Sequence, residues 1–335
     1  MSREVGPALD RRFLAPDHPD LAWDGLAALS RRDGWWQPWR ITPDRLATAL
    51  SPALLDRAAV PAGARLRLRT DARELTLRIA VGQRGAGPFD VLVDDAPAVR
   101  LPVAPGVHDL CVPLPGRPAR VEVWLPQRGS VRLGHLSLPD GAVLTPDPPP
   151  PGSPAWIAYG GRLTQRATEA GPGGAWPALV ARRQGWRLTN LGFAHEARLD
   201  LAVARALRSA SADLITLELA ETVRQLGRPG SALCGFVETV RDAHPRVPLA
   251  VLVPARCAGG AVDEAVTLLH RLGDRRLHLL DLPDPLSGGD GASDGVDASL
   301  AAWAGPELTR ILAESVAATS GPSAAPPRAG HAEPA

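Results

Sequence analysis

A chain of 335 residues exceeds the usual span of one domain, so two domains are expected, each with enough chain to bury its own core. Hydrophobic residues make up 45% and charged residues 22% of it, which excludes an intrinsically disordered or fibrous protein. Thirty-seven basic residues face thirty-six acidic ones for a net charge of +1, so no overall field recruits nucleic acid or an anionic membrane.

Every basic residue is an arginine, and with the Ala, Pro and Gly excess this reads as the codon bias of a GC-rich, actinobacterial-type genome. Cys111, Cys234 and Cys257 are too far apart for a disulfide framework or a metal cluster and read as small core residues. No signal-peptide pattern and no run of 18 apolar residues is present, so a cytoplasmic protein without a membrane partner is expected.

In chain order, residues 1–19 form an N-terminal extension. Residues 20–145 alternate apolar and polar positions in short runs: Leu66 and Leu68 between Arg65, Arg67 and Arg69; Leu75, Leu77 and Ile79; Val91 and Val93; Val121, Val123 and Leu125; Val131, Leu133 and Leu136. Turn residues separate these runs, and the pattern predicts an antiparallel β-sandwich of jelly-roll type. Near its start Trp35, Trp36 and Trp39 place three of nine tryptophans within five residues. Such a segment either packs on its own sandwich or the next domain, or offers a stacking platform to a sugar or a partner. The proline run of residues 146–154 reads as a linker.

From residue 155 to 316 the pattern changes. The runs 155–159, 212–217, 248–253 and 277–280 read as buried parallel strands, and 176–184, 199–208, 233–244 and 262–272 carry helix-spaced apolar positions. This alternation predicts an α/β domain with helices on both faces of a parallel sheet. Residues 317–335 read as a disordered tail.

Active groups of such a sheet collect at the carboxyl ends of its strands. After the first strand stands Gly160-Gly161-Arg162-Leu163-Thr164-Gln165. This resembles the opening block of the SGNH hydrolases, the GDSL-type esterases and lipases, in which Gly-Asp-Ser precedes Ile-Thr-Gln. Asn190 to Asp200 resembles the second block, Ala212 to Thr222 the third, and Asp294-Gly295-Val296-Asp297 the final Asp-x-x-His. The resemblance implies a flavodoxin-like three-layer α/β/α domain behind the sandwich, an arrangement similar to some two-domain esterases acting on carbohydrates. It also implies that Arg162 stands for the serine nucleophile, after Gly161 where the family has aspartate. His195 stands for an oxyanion-hole glycine, Thr222 for its asparagine and Asp297 for the general-base histidine, while Asp294 keeps the orienting carboxylate.

Acyl transfer by a serine needs a hydroxyl, a base to take its proton and donors aimed at the oxyanion. A guanidinium stays protonated and is no nucleophile. No catalytic residue is therefore expected. If the fold is kept, Arg162 should lie close to Asp294 and Asp297, either as an ion cluster that plugs the old cleft or, with His195 and Glu221, as a polar pocket. Replacement hydroxyls nearby are Thr164, Thr222, Ser293 and Ser299, each without a histidine at a motif spacing. Substituting Gly161→Asp, Arg162→Ser and Asp297→His together should rebuild nucleophile and base but give weak activity at most, because Thr222 and His195 leave the oxyanion hole altered.

The expected function is a non-catalytic binding or scaffolding pseudoenzyme. The alternative is an active esterase, acyl hydrolase or acyltransferase working on a carbohydrate or acyl ester through a remodelled site, so enzyme status stays open on sequence alone. No metal and no cofactor is expected, and the partner is a small molecule, sugar or acyl ester, or another protein.

Overall fold

The computed structural model describes residues 10–166, 171–255, 260–283 and 295–319. Among them the N-terminal half forms two antiparallel sheets packed face to face. The first contains β1 (Arg11–Leu14), β3 (Ala28–Arg32), β4 (Trp35–Trp39), β6 (Glu74–Val81), β9 (Gly106–Pro113) and β11 (Val131–Pro139), in the order β3-β4-β11-β6-β9 with β1 also on β11. The second contains β2 (Ala22–Asp24), β5 (Arg65–Thr70), β7 (Phe89–Val93), β8 (Ala96–Leu101), β10 (Ala119–Trp124) and β12 (Leu144–Pro146), in the order β12-β5-β10-β7-β8 with β2 on β5. The alternating Leu, Ile and Val positions of both sheets interdigitate as one buried cluster, the arrangement a period-two pattern dictates.

Two expectations change here, and one burial is added. Arg11–Leu14, read as extension, is a strand of the sandwich. Cys111, read as core, is exposed on β9, Cys234 is half-buried, and Cys257 lies outside the described residues. Arg65 and Arg67 are buried beside Asp24, Glu122 and Asp147. Their side of the sheet is covered, because Leu92 and Trp124 pack onto Ala175 and Ala178 of the following domain.

The second half is a parallel sheet of β13 (Ala155–Gly160), β14 (Arg187–Gly192), β15 (Leu214–Glu218), β16 (Leu249–Pro254) and β17 (Leu277–Leu282), in the order β14-β13-β15-β16-β17. One face carries α5 (Leu201–Arg208), α7 (Gly230–Arg241) and α8 (Ala261–Arg271). The other carries α4 (Trp176–Gln184) and α9 (Val296–Thr319). Two short helices from the N-terminal half, α1 (Pro43–Leu46) and α2 (Pro52–Ala58), send Leu46, Leu54 and Ala58 into the α/β core. The two halves are thus stitched together rather than joined by the proline segment alone. Buried Arg40 reinforces the seam by donating from Nη1 to Asn190 O at 2.8 Å and Gly192 O at 2.7 Å. Among the described residues no helix is long and apolar enough to cross a membrane.

Candidate functional site

β13 is buried along its whole length and ends at Gly160, where the chain turns directly into α3 (Arg162–Gln165). The turn tolerates no side chain. A Cβ at Gly160 would lie 2.2 Å from Thr164 Oγ1 and 2.8 Å from Glu218 Cβ, and one at Gly161 would lie 2.3 Å from Glu221 Cβ. Side chains from β15 and α6 (Ala220–Leu226) already occupy that space.

Glu218, the last residue of β15, is 1% exposed. Its carboxylate accepts from Gly161 N–H at 3.0 Å, Thr164 Oγ1 at 3.1 Å and Ala220 N–H at 2.7 Å. Burial pushes the carboxyl up from its ordinary range, and these three donors oppose the shift without cancelling it.

Above it lies a rim of partly exposed groups around one buried carboxylate. Glu221 Oε2 faces Arg162 Nε at 3.5 Å, while Oε1 accepts from His195 Nδ1 at 3.0 Å, from Gln225 Nε2 at 2.5 Å and from Arg224 Nη2. Gln225 also donates to His195 O at 2.6 Å and accepts from Arg198 Nε at 2.9 Å. Burial works to raise the Glu221 carboxyl, but the hydrogen bonds from Gln225, Arg224 and His195 outweigh it and hold the group at about 2. The Arg162 side chain is 32% exposed and that of His195 50%, against 5% for Glu221.

A second ion pair forms the floor. Arg166 Nε and Nη2 donate to the two oxygens of Asp297 at 2.9 and 3.0 Å, the bidentate geometry that suits a guanidinium. Asp297 Oδ1 also accepts from Trp176 N–H at 2.9 Å, satisfying a donor that the first turn of α4 would otherwise leave open. One carboxylate therefore ties α3, α4 and α9 together, with side chains 3% and 8% exposed.

The structure places Gly161, Arg162 and His195 around Glu221 and holds the other described candidates elsewhere. Asp297 is gripped by Arg166, whereas the described ion pair of Arg162 is with Glu221. Asp294 and Ser293 lie outside the described residues. Thr222 is fully buried and donates to Ala197 O at 2.8 Å, so Glu221 rather than Thr222 faces Arg162. Thr164 is buried on Glu218, and Ser299 is exposed on α9. Among the described residues, His195 makes no hydrogen bond to a hydroxyl or a thiol.

Trp35, Trp36 and Trp39 are spread over β4. Trp36 is buried in the sandwich core beneath Arg31, Trp35 is half-buried beneath the Arg132 guanidinium, and Trp39 packs on the α/β core and donates to Ser30. No described contact joins them to Arg162. Among the described residues no group of three or more His, Cys, Asp or Glu is placed to hold a metal ion.

Sequence reasoning did not anticipate Glu218, Arg166, Arg224 or Gln225. Glu218 carried the only available signal, a carboxylate closing an otherwise apolar strand.

A parallel sheet of this order, with a polar cluster at the ends of its first three strands and an antiparallel sandwich ahead of it, is the architecture of a two-domain SGNH-type protein. Residues 154–278 match the GDSL-like lipase/acylhydrolase family, and residues 21–133 match the N-terminal domain of SsfX3. Among solved structures the chain is similar to the salicylyl-acyltransferase SsfX3 from a tetracycline biosynthetic pathway, at 28% identity over 90% of this chain and 98% of that one, with a TM-score of 0.77. The same fold is seen in a putative GDSL-like lipase from Bacteroides ovatus, at 17% identity over 91% of this chain and 98% of that one, TM-score 0.75. It is seen again in a family two carbohydrate esterase from Cellvibrio japonicus, at 15% identity over 92% of this chain and 100% of that one, TM-score 0.65. No curated protein matches the chain.

Proposed function

We propose that the chain is a non-catalytic binding or scaffolding member of the SGNH family, a pseudoenzyme. The observation that carries this reading is Arg162, a guanidinium opening α3 at the place where acylation needs a hydroxyl, facing the Glu221 carboxylate. Neither partner can act as an acyl acceptor and donor in the way a serine does, and a carboxylate facing the site repels a developing oxyanion instead of stabilising it. Loss of a nucleophile alone costs on the order of 10⁶ in rate in serine hydrolases. What remains is a rim of N–H donors from Arg162, His195 and Arg224, suited to the oxygens of a sugar or an acyl ester, or to a carboxylate on a protein partner. Purified protein should hydrolyse p-nitrophenyl acetate at the buffer rate. Enzyme-dependent turnover that survives repurification and disappears on mutating Thr164 or Ser299 would refute the reading.

One observation favours a second reading, an acyltransferase without a covalent intermediate. His195 Nδ1 lies 3.0 Å from Glu221 and its ring is half exposed, so Nε2 could serve as a general base toward a hydroxyl substrate. SsfX3, at 28% identity, is described as a salicylyl-acyltransferase. Acyl transfer abolished by His195→Ala and insensitive to Thr164→Ala would select this reading over the first.

A further inference from the structure

Arg40 and Arg45, five residues apart, and Arg187, from the distant strand β14, line a single cleft of about 470 Å³. It runs along the outer side of edge strand β14, between α1 and the end of α5. Arg187, Thr189 and Leu191 of β14 point into it together, as alternate residues of a strand must. Leu26, Ile41, Ile157 and Leu207 supply an aliphatic wall, and among the described residues no aspartate or glutamate lines it.

The charge balance is unusual. Arg40 is 1% exposed and its guanidinium is met only by carbonyl oxygens, those of Asn190, Gly192 and Arg57, with the Phe193 ring 5.1 Å away. Its buried Nε has no hydrogen-bond partner. Among the described residues none of the three arginines pairs with a carboxylate. Asp44 adjoins Arg45 in the chain, and its carboxyl is held down first by the Thr42 hydroxyl, with Arg45 a lesser cause. Burial, with repulsion from Arg57, lowers Arg40 to about 9. A buried cation without a counter-charge is costly, and an oxyanion is the partner that offsets the cost. The end of α5 does not oppose this, since Ser209 and Ala210 N–H groups already cap Ala206 O and Leu207 O.

We propose that this cleft is a second ligand site, separate from the strand-end cluster, and that it takes a small organic acid. A carboxylate would be held directly by the exposed Arg45 and Arg187, with the buried charge of Arg40 drawing it from behind the wall, and a compact aliphatic body would lie on Ile41, Ile157 and Leu207. Neither the family match nor the Arg162 cluster bears on it, so it stands or falls independently of the pseudoenzyme reading.

Isothermal titration of the full chain with hexanoate at low salt, alongside 1-hexanol, tests it. Hexanoate is expected to bind and 1-hexanol, which lacks the charge, to bind at least tenfold more weakly. Arg45 and Arg187 are exposed, so R45Q/R187Q should fold normally, as far-UV circular dichroism would show, and lose at least tenfold in hexanoate affinity. Arg162→Ala should leave hexanoate affinity unchanged. The proposal is overturned by equal binding of acid and alcohol, by unchanged affinity in R45Q/R187Q, by the absence of millimolar binding, or by loss of binding in Arg162→Ala, which would move the anion to the strand ends.

Discussion

At the strand ends, two arginines four residues apart face carboxylates under different conditions. Arg166 is 3% exposed and holds Asp297 through a bidentate contact, whereas Arg162 is 32% exposed and stands 3.5 Å from Glu221. The floor pair has no solvent to fall back on, and its partner also serves α4. The rim pair shares its carboxylate with His195, Gln225 and Arg224. Similar side chains thus make a structural clasp below and a surface available to a ligand above, and burial decides which is which.

The largest effect should come from the floor. Arg166→Ala leaves Asp297 charged and out of water, and breaking a buried pair in this way costs about 3–5 kcal/mol. Asp297→Asn should recover part of that loss, so thermal or urea unfolding of the two single variants and the double variant should be clearly non-additive. Additive behaviour would mean that the floor is not a clasp.

The restoration experiment sharpens the contrast. Asp297→His removes the partner of Arg166, and Gly161→Asp drives a side chain into Glu221 Cβ, 2.3 Å from the new Cβ position. Gly161→Asp/Arg162→Ser/Asp297→His should therefore be less stable than the parent by urea unfolding and gain no ester turnover. The sequence-based expectation of a rebuilt nucleophile and base overlooks both contacts.

Arg162→Ala should be mild by comparison, about 0–1 kcal/mol, as for a partly solvated pair. A loss as large as that of Arg166→Ala would erase the distinction between rim and floor.

The smallest effect is on pH dependence. Glu221 is held at about 2, below its unfolded value, so its contribution is present above the ordinary glutamate range and lost as pH falls through that range toward 2. Glu218 is shifted upward, so its protonated form favours the fold below the ordinary range, and that contribution is lost as pH rises through the raised folded value. Acid unfolding of Glu221→Gln should show a shallower loss of stability below pH 4 than the parent, whereas Glu218→Gln should behave like the parent there and lack the gain in stability that the parent shows as pH falls from the raised Glu218 value to the ordinary glutamate range.

The parallel strands β13, β15 and β16 were readable because they are largely continuous apolar runs, as strands buried on both faces are. β14 was not assigned as a strand because it is an edge strand carrying Arg187, Thr189 and Asn190, residues that read as loop. In the sandwich, β4 is Trp-Trp-Gln-Pro-Trp, with a proline tolerated in the ladder, and β1 is too short to show a period. Arg162 stood out because it occupies the position where the resemblance expects a serine, and Glu221 because it is a charged group beside the block's expected asparagine. Arg166 did not, since nothing local to it distinguishes a clasp from a solvated arginine. Its role depends on Asp297, 131 residues away in sequence.

Mass spectrometry of the intact protein after incubation with a fluorophosphonate tests the central claim most directly. A strand-end site opened by Arg162 in place of a serine should yield unmodified protein, while a serine esterase treated in parallel is fully labelled. A single stoichiometric adduct, mapped to a serine or threonine of the α/β domain and abolished by its substitution, would contradict the account.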